Sequence, residues 1–117
     1  MLIDTHCHLA ADEFADDRDD VAAAARAAGV SALVVPAVDS TSFPEVRACC
    51  ARYPGCAPAY GIHPLYVQRA SQADLDTLRD WLRPSGDHSP RPVAVGEIGL
   101  DLFSVDPYFQ RQEYFFV

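Results

Sequence analysis

The segment SALVVPAV at residues 31–38 is apolar almost throughout, as a strand covered on both faces is. Three more strand-like segments share its pattern: LIDTHCH at 2–8, APAYGIH at 57–63 and PVAVGEIGL at 92–100. Neighbours are separated by roughly 25–35 residues, a spacing that suits βαβ units. Each interval contains a stretch that reads as a helix. The first lies within DDRDDVAAAARAAG, whose acidic start favours the positive end of the helix dipole and whose Gly29 is a stop. The second runs near FPEVRACCARYPG, closed by Pro54 and Gly55, with Cys49 and Cys50 as packing residues. The third lies in SQADLDTLRDWLRPSG, with Ser71 as N-cap. Leu75, Leu78, Trp81 and Leu82 share one face of it, which makes Trp81 a core residue. A turn-rich loop comes next, in which His88 is exposed, and Asp106 and Pro107 read as the N-cap and first residue of a fourth helix.

This alternation points to an α/β fold with a parallel sheet, either open or closed into a barrel. Four βα units are half of a TIM-type (β/α)8 barrel, whose usual length is about 250 residues. Residues 1–117 are therefore expected to be the N-terminal part of a single barrel domain, ending inside a helix that has only begun.

Composition narrows the function. A hydrophobic fraction of 50% and a charged fraction of 22% describe a globular chain. The net charge of −8 argues against a broad basic surface that grips nucleic acid by charge alone, but not against a phosphate site built on cations. All nine basic residues are arginine, and lysine and asparagine are absent. A P-loop lysine, a Schiff-base lysine and a carboxylated lysine ligand are thereby excluded within these residues. Cys7, Cys49, Cys50 and Cys56 form no C-x-x-C pair, so the expected setting is a reducing cytoplasm rather than a disulfide framework. No signal peptide or membrane-spanning run is visible.

In parallel α/β architectures, function gathers at the C-terminal ends of the strands. On an extended first strand, His6 and His8 project to one face and Cys7 to the other. Two imidazoles so placed are half of a metal chelate. The third strand ends at His63, and the fourth carries Glu97 with Asp101 just beyond. Glu97 sits between Val95 and Ile98, where an unpaired charge is costly and a ligand role explains it. Asp4 is either an orienter of a ligating histidine or a buried acid deeper in the fold. His63 suits substrate contact, direct metal ligation or hydrogen bonding to backbone, and Asp101 is either part of the site or a cap on the loop after Gly99.

Taken together, MLIDTHCHL, YGIHP, VAVGEIGLD and DPYFQRQEYF resemble the TatD family of metal-dependent hydrolases and deoxyribonucleases, in order and over the whole chain. The resemblance implies a (β/α)8 barrel that binds two divalent cations, Zn, Mn or Mg, and acts on phosphodiester bonds, with DNA as the expected substrate. It implies that His6 and His8 ligate one cation, that Glu97 bridges both and is the catalytic carboxylate, and that His63 and Asp101 lie on the substrate side. A hydroxide held between the cations would attack phosphorus in line. The family's remaining ligands, two histidines and an aspartate, come from later strands beyond residue 117.

Three other readings stand beside this one. An amidohydrolase-like barrel acting on small molecules also opens with H-x-H, but commonly bridges its metals with a carboxylated lysine where this chain has Glu97. A PHP-type phosphoesterase shares the H-x-H without GEIGLD. The third is a non-catalytic fragment. Alone, a four-strand half-barrel with open edges is expected to be molten, aggregated or domain-swapped, and a homodimer of half-barrels would close those edges.

Overall fold

In the computed structural model, which describes residues 1–84, 89–103 and 108–117, strands and helices alternate along the chain. The strands are β1 (Leu2–Asp4), β2 (Val30–Pro36), β3 (Cys56–Tyr60) and β4 (Ala94–Val95). The helices are α1 (Arg18–Ala27), α2 (Phe43–Arg52), α3 (Gln72–Leu82) and α4 (Phe109–Phe116). The sheet order is β1-β2-β3-β4 and every pairing is parallel. This is the half-barrel that the spacing of the apolar segments predicts. Among the described residues, no helix is long and apolar enough to cross a membrane.

The helix boundaries have local causes. Gly29 follows α1 with φ 92°, a left-handed turn that favours glycine. Ser71 caps α3 as expected, in a reciprocal box with Asp74. The Asp74 carboxylate also accepts from the Ser40 hydroxyl, which lowers its pKa and ties α3 to the segment before α2. His88, Asp106 and Pro107 lie outside the described residues.

One face of the sheet packs against the helices. Leu33, Val35, Cys56 and Tyr60 from the strands meet Ala22 of α1 and Phe43, Val46, Cys49 and Cys50 of α2 in a single core. Phe43, Tyr60 and Trp81 form an aromatic trio with centroids 5.0–5.6 Å apart, so Trp81 is a packing residue as its helical spacing implied. Burial pushes the thiols of Cys49 and Cys50 up to about 11 and about 12, which keeps them protonated and inert.

β2 departs from the sequence reading. Leu33 and Val35 are buried, whereas Ala32 and Val34 on the opposite face are only half-buried. The described helices cover one face only, and the other is the inner wall of the half-barrel. On the outer strand β1 that wall leaves Ile3, the partner of Ala32, exposed.

Within the core the Tyr60 hydroxyl is buried with no hydrogen-bond partner among the described residues, and burial pushes its pKa to about 12. An unmade buried hydrogen bond costs about 1–3 kcal/mol. Tyr60→Phe should therefore stabilise the full-length protein by about 1 kcal/mol, read as a higher urea midpoint. A loss of stability in that variant would mean that the hydroxyl is satisfied.

Candidate metal centre

The regular strands stop short of the residues that build the site. β1 ends at Asp4, β3 at Tyr60 and β4 at Val95, each before the histidine or glutamate it was expected to carry. Individual backbone bonds continue the pairing past these ends and hold the site segments in place. Cys7 N–H donates to the Val34 carbonyl at 3.0 Å, His63 N–H to Val38 at 2.8 Å and Glu97 N–H to Ala37 at 2.9 Å. All three acceptors lie along β2 or just past its end, so that strand sets the position of the other three segments.

The Glu97 bond requires an unusual path. β4 pairs with β3, yet Glu97 bonds to a residue beyond the end of β2. The chain reaches it by crossing over Gly61. A Cβ there would lie 2.5 Å from the Glu97 carbonyl oxygen and 2.8 Å from the Gly96 carbonyl carbon. Only glycine leaves room for that crossing, which brings the Glu97 side chain to the histidines after β1.

The result is a tight cluster. Glu97 Oε2 lies 2.9 Å from His8 Nε2 and 3.5 Å from His6 Nε2. The two Nε2 atoms are 3.1 Å apart, with the rings edge to face. One ligand atom from each residue falls within 4.8 Å of the others. Two imidazole nitrogens and a carboxylate oxygen are the donor set that borderline and hard divalent cations prefer. Lone pairs that converge so closely are best satisfied by a shared cation, so the residues fit a metal ion.

Cys7, between the histidines, turns away and packs on the core, and burial raises its pKa, with the Asp4 charge adding to the effect. Asp4 takes neither of its two expected forms. Its carboxylate accepts from the His6 backbone N–H at 3.0 Å, which holds the turn out of β1 rather than the imidazole ring.

His63 approaches from the other side. Its Nε2 lies 3.5 Å from Glu97 Oε1, the oxygen that the first two histidines do not face. Its Nδ1 accepts from the Leu65 N–H at 3.0 Å, so the neutral ring carries its proton on Nε2. Asp101 is engaged locally: Oδ1 accepts from Phe103 N–H at 2.8 Å, and its residue is outside the His6–His8–Glu97 cluster.

Three supports of the site escape a sequence reading. Gly61 had a signal, an isolated glycine in a strand pattern, which marks close backbone approach. Arg18 had none. It sits among acids at the start of α1, yet donates through Nε to the Leu9 carbonyl at 2.7 Å and through Nη2 to Ala10 and Ala11 at 3.2 and 2.8 Å. Those bonds pin the loop that leaves His8. Gln112 of α4 is buried and clasps the Asp101 backbone from both sides, at 2.7 and 2.9 Å.

Fold and site together define a parallel half-barrel with an imidazole–carboxylate cluster at the C-terminal ends of its strands. The chain belongs to the TatD related DNase family, whose model matches residues 3–117. The metal-dependent hydrolase YjjV of Escherichia coli is 40% identical over 115 residues, which are 97% of this chain and 42% of that protein. Its crystal structure superposes with a TM-score of 0.87 over 98% of this chain and 43% of that one, at 38% identity. The human deoxyribonuclease TATDN3 is 38% identical over 86% of this chain and 38% of its own length. The 3'-5' ssDNA/RNA exonuclease TatD of Salmonella typhimurium is 33% identical, over 86% of this chain and 36% of its own length. The chain thus spans about two fifths of the relatives it matches.

Proposed function

We propose that this chain contributes the metal-binding half of a phosphodiesterase that cleaves DNA with the help of two divalent cations, Zn, Mn or Mg. The observation that carries this reading is the division of the Glu97 carboxylate. Oε2 faces the His6–His8 pair and Oε1 faces away from it, toward His63. A carboxylate so oriented has one oxygen for each of two cations.

In this reading His6 and His8 hold the first cation, Glu97 spans both, and further (β/α) units supply the remaining ligands. Those units also cover the exposed inner wall, from the same polypeptide or from a second copy paired as a homodimer. The cations supply Lewis-acid polarisation of a phosphoryl oxygen and a water acidified to attack it. His63, with its proton on Nε2, donates a hydrogen bond to a non-bridging phosphoryl oxygen and orients the diester. Its tautomer suits a donor better than a ligand, since a ligating Nε2 must be bare. A substrate-side role for Asp101 rests on its motif alone. The four free thiols favour a cytoplasmic setting.

The test uses the full-length protein, stripped with a chelator and reloaded with single metals. Single-stranded DNA should be cleaved only after reloading. A reloaded protein that leaves DNA intact and opens a cyclic amide would transfer it to the amidohydrolase-like class.

A further inference from the structure

Beside the metal cluster a cavity of about 400 Å³ opens between the loop after β1 and the start of α2. His8 lines it, and the same His8 ring lies 2.9 Å from Glu97. The aromatic side chains of Phe14 and Tyr66 lie in its walls, and Ala37 and Val46 supply apolar surface. Its charged lining, Glu13 and Glu45, is acidic, and no arginine among the described residues lines it. Two carboxylates repel a phosphate. They attract hydrogen-bond donors such as exocyclic amino groups.

The Tyr66 ring is held in place from two sides. The His63 ring meets it edge to face with centroids 5.9 Å apart, and the Arg69 guanidinium lies 4.7 Å from its centroid. A ring fixed in this way is a prepared stacking surface, and little freedom is lost when a flat ligand settles on it. The volume is within the range of small-ligand sites.

We propose that this cavity takes the nucleobase next to the scissile phosphate, stacked against Tyr66 and Phe14, and that Glu13 and Glu45 favour bases with an exocyclic amino group over thymine. The inference rests on the phosphodiesterase reading and adds to it the residues that choose the nucleotide. The lining sets the chemistry: aromatic faces suit every base, while the two carboxylates, which only accept, pair best with the exocyclic amino group that cytosine, adenine and guanine have and thymine lacks.

The experiment measures kcat/KM of the full-length, metal-loaded protein on single-stranded oligonucleotides that carry cytosine, thymine or an abasic residue beside the cleaved bond. Cytosine should be preferred to the abasic residue by about tenfold, the scale of one base–aromatic stack. In Tyr66→Ala and in Phe14→Ala that ratio should fall toward unity. In the double variant Glu13→Gln with Glu45→Gln, the preference for cytosine over thymine should disappear while the preference over the abasic residue persists. Cleavage of all three oligonucleotides at one rate by the wild-type protein would overturn the pocket and leave the phosphodiesterase reading intact. Cleavage of none would overturn the phosphodiesterase reading and the pocket with it. A wild-type ratio retained in Tyr66→Ala would remove Tyr66 from the pocket and overturn the proposal as stated.

Discussion

Glu97→Ala in the full-length protein will lose bound metal and hydrolysis together. Groups that merely orient a metal ligand cost about 10–100-fold when removed, and Glu97 sits closer than that, 2.9 Å from His8 Nε2. Activity should therefore drop by more than about a hundredfold. His6→Ala should repeat the loss of metal, since its Nε2 shares the same point in space. The metal-free variants should melt no lower than the metal-free parent. The cluster crowds two imidazoles and a carboxylate without burying apolar surface, so its removal relieves the fold rather than weakening it. Elemental analysis and thermal melts of both variants decide the matter. Parental metal content in both would remove these residues from the site.

Gly61→Ala will destabilise the fold and disturb the site at the same time. The new Cβ meets the Glu97 carbonyl oxygen at 2.5 Å, the Gly96 carbonyl carbon at 2.8 Å and Ile98 Cγ2 at 2.9 Å. Two of these atoms are backbone and have no rotamer by which to escape. Overpacking of this kind costs about 1–3 kcal/mol, and loss of the Glu97–Ala37 hydrogen bond adds about 1 kcal/mol. In a protein of 150–250 residues this lowers the melting temperature by roughly 4–16 °C. Metal content should fall as well, because the displaced peptide carries Glu97. A variant that melts with the parent and keeps its metal would show that the crossing tolerates a side chain.

These two residues also mark where a sequence reading succeeds and where it stops. His6, His8 and Glu97 were legible because strand parity and strand-end position are local properties. Two residues of a strand two apart share a face, and active residues collect at the carboxyl ends of parallel strands. The expected strands were nonetheless too long. LIDTHCH and PVAVGEIGL run on in apolar pattern, whereas regular pairing ends at Asp4 and Val95. In the fourth segment the chain leaves β3 to bond Glu97 to Ala37, a residue far away in the chain, and no periodicity encodes that. Arg18 was illegible for a related reason: its three acceptors are carbonyls, which every residue possesses. Ser71, Trp81 and the buried Cys49–Cys50 pair were read correctly from neighbours three or four residues away, the distance over which helix geometry is self-contained.

Cys7 gives the β1 segment a second meaning. Its sulfur and the flanking imidazoles are consecutive in sequence, yet the sulfur packs on the core while the imidazoles converge on Glu97. The cluster that results is made of nitrogen and oxygen, with the soft ligand turned into the core. A slip of one residue between this segment and β2 would bring every side chain to the wrong face. Cys7 would then face Glu97, and a thiolate there would draw soft ions such as Cu(I) in place of harder divalent cations. The bond from Cys7 N–H to the Val34 carbonyl opposes that slip. The donor set of the cluster is thus held in a backbone register as much as in the residues themselves.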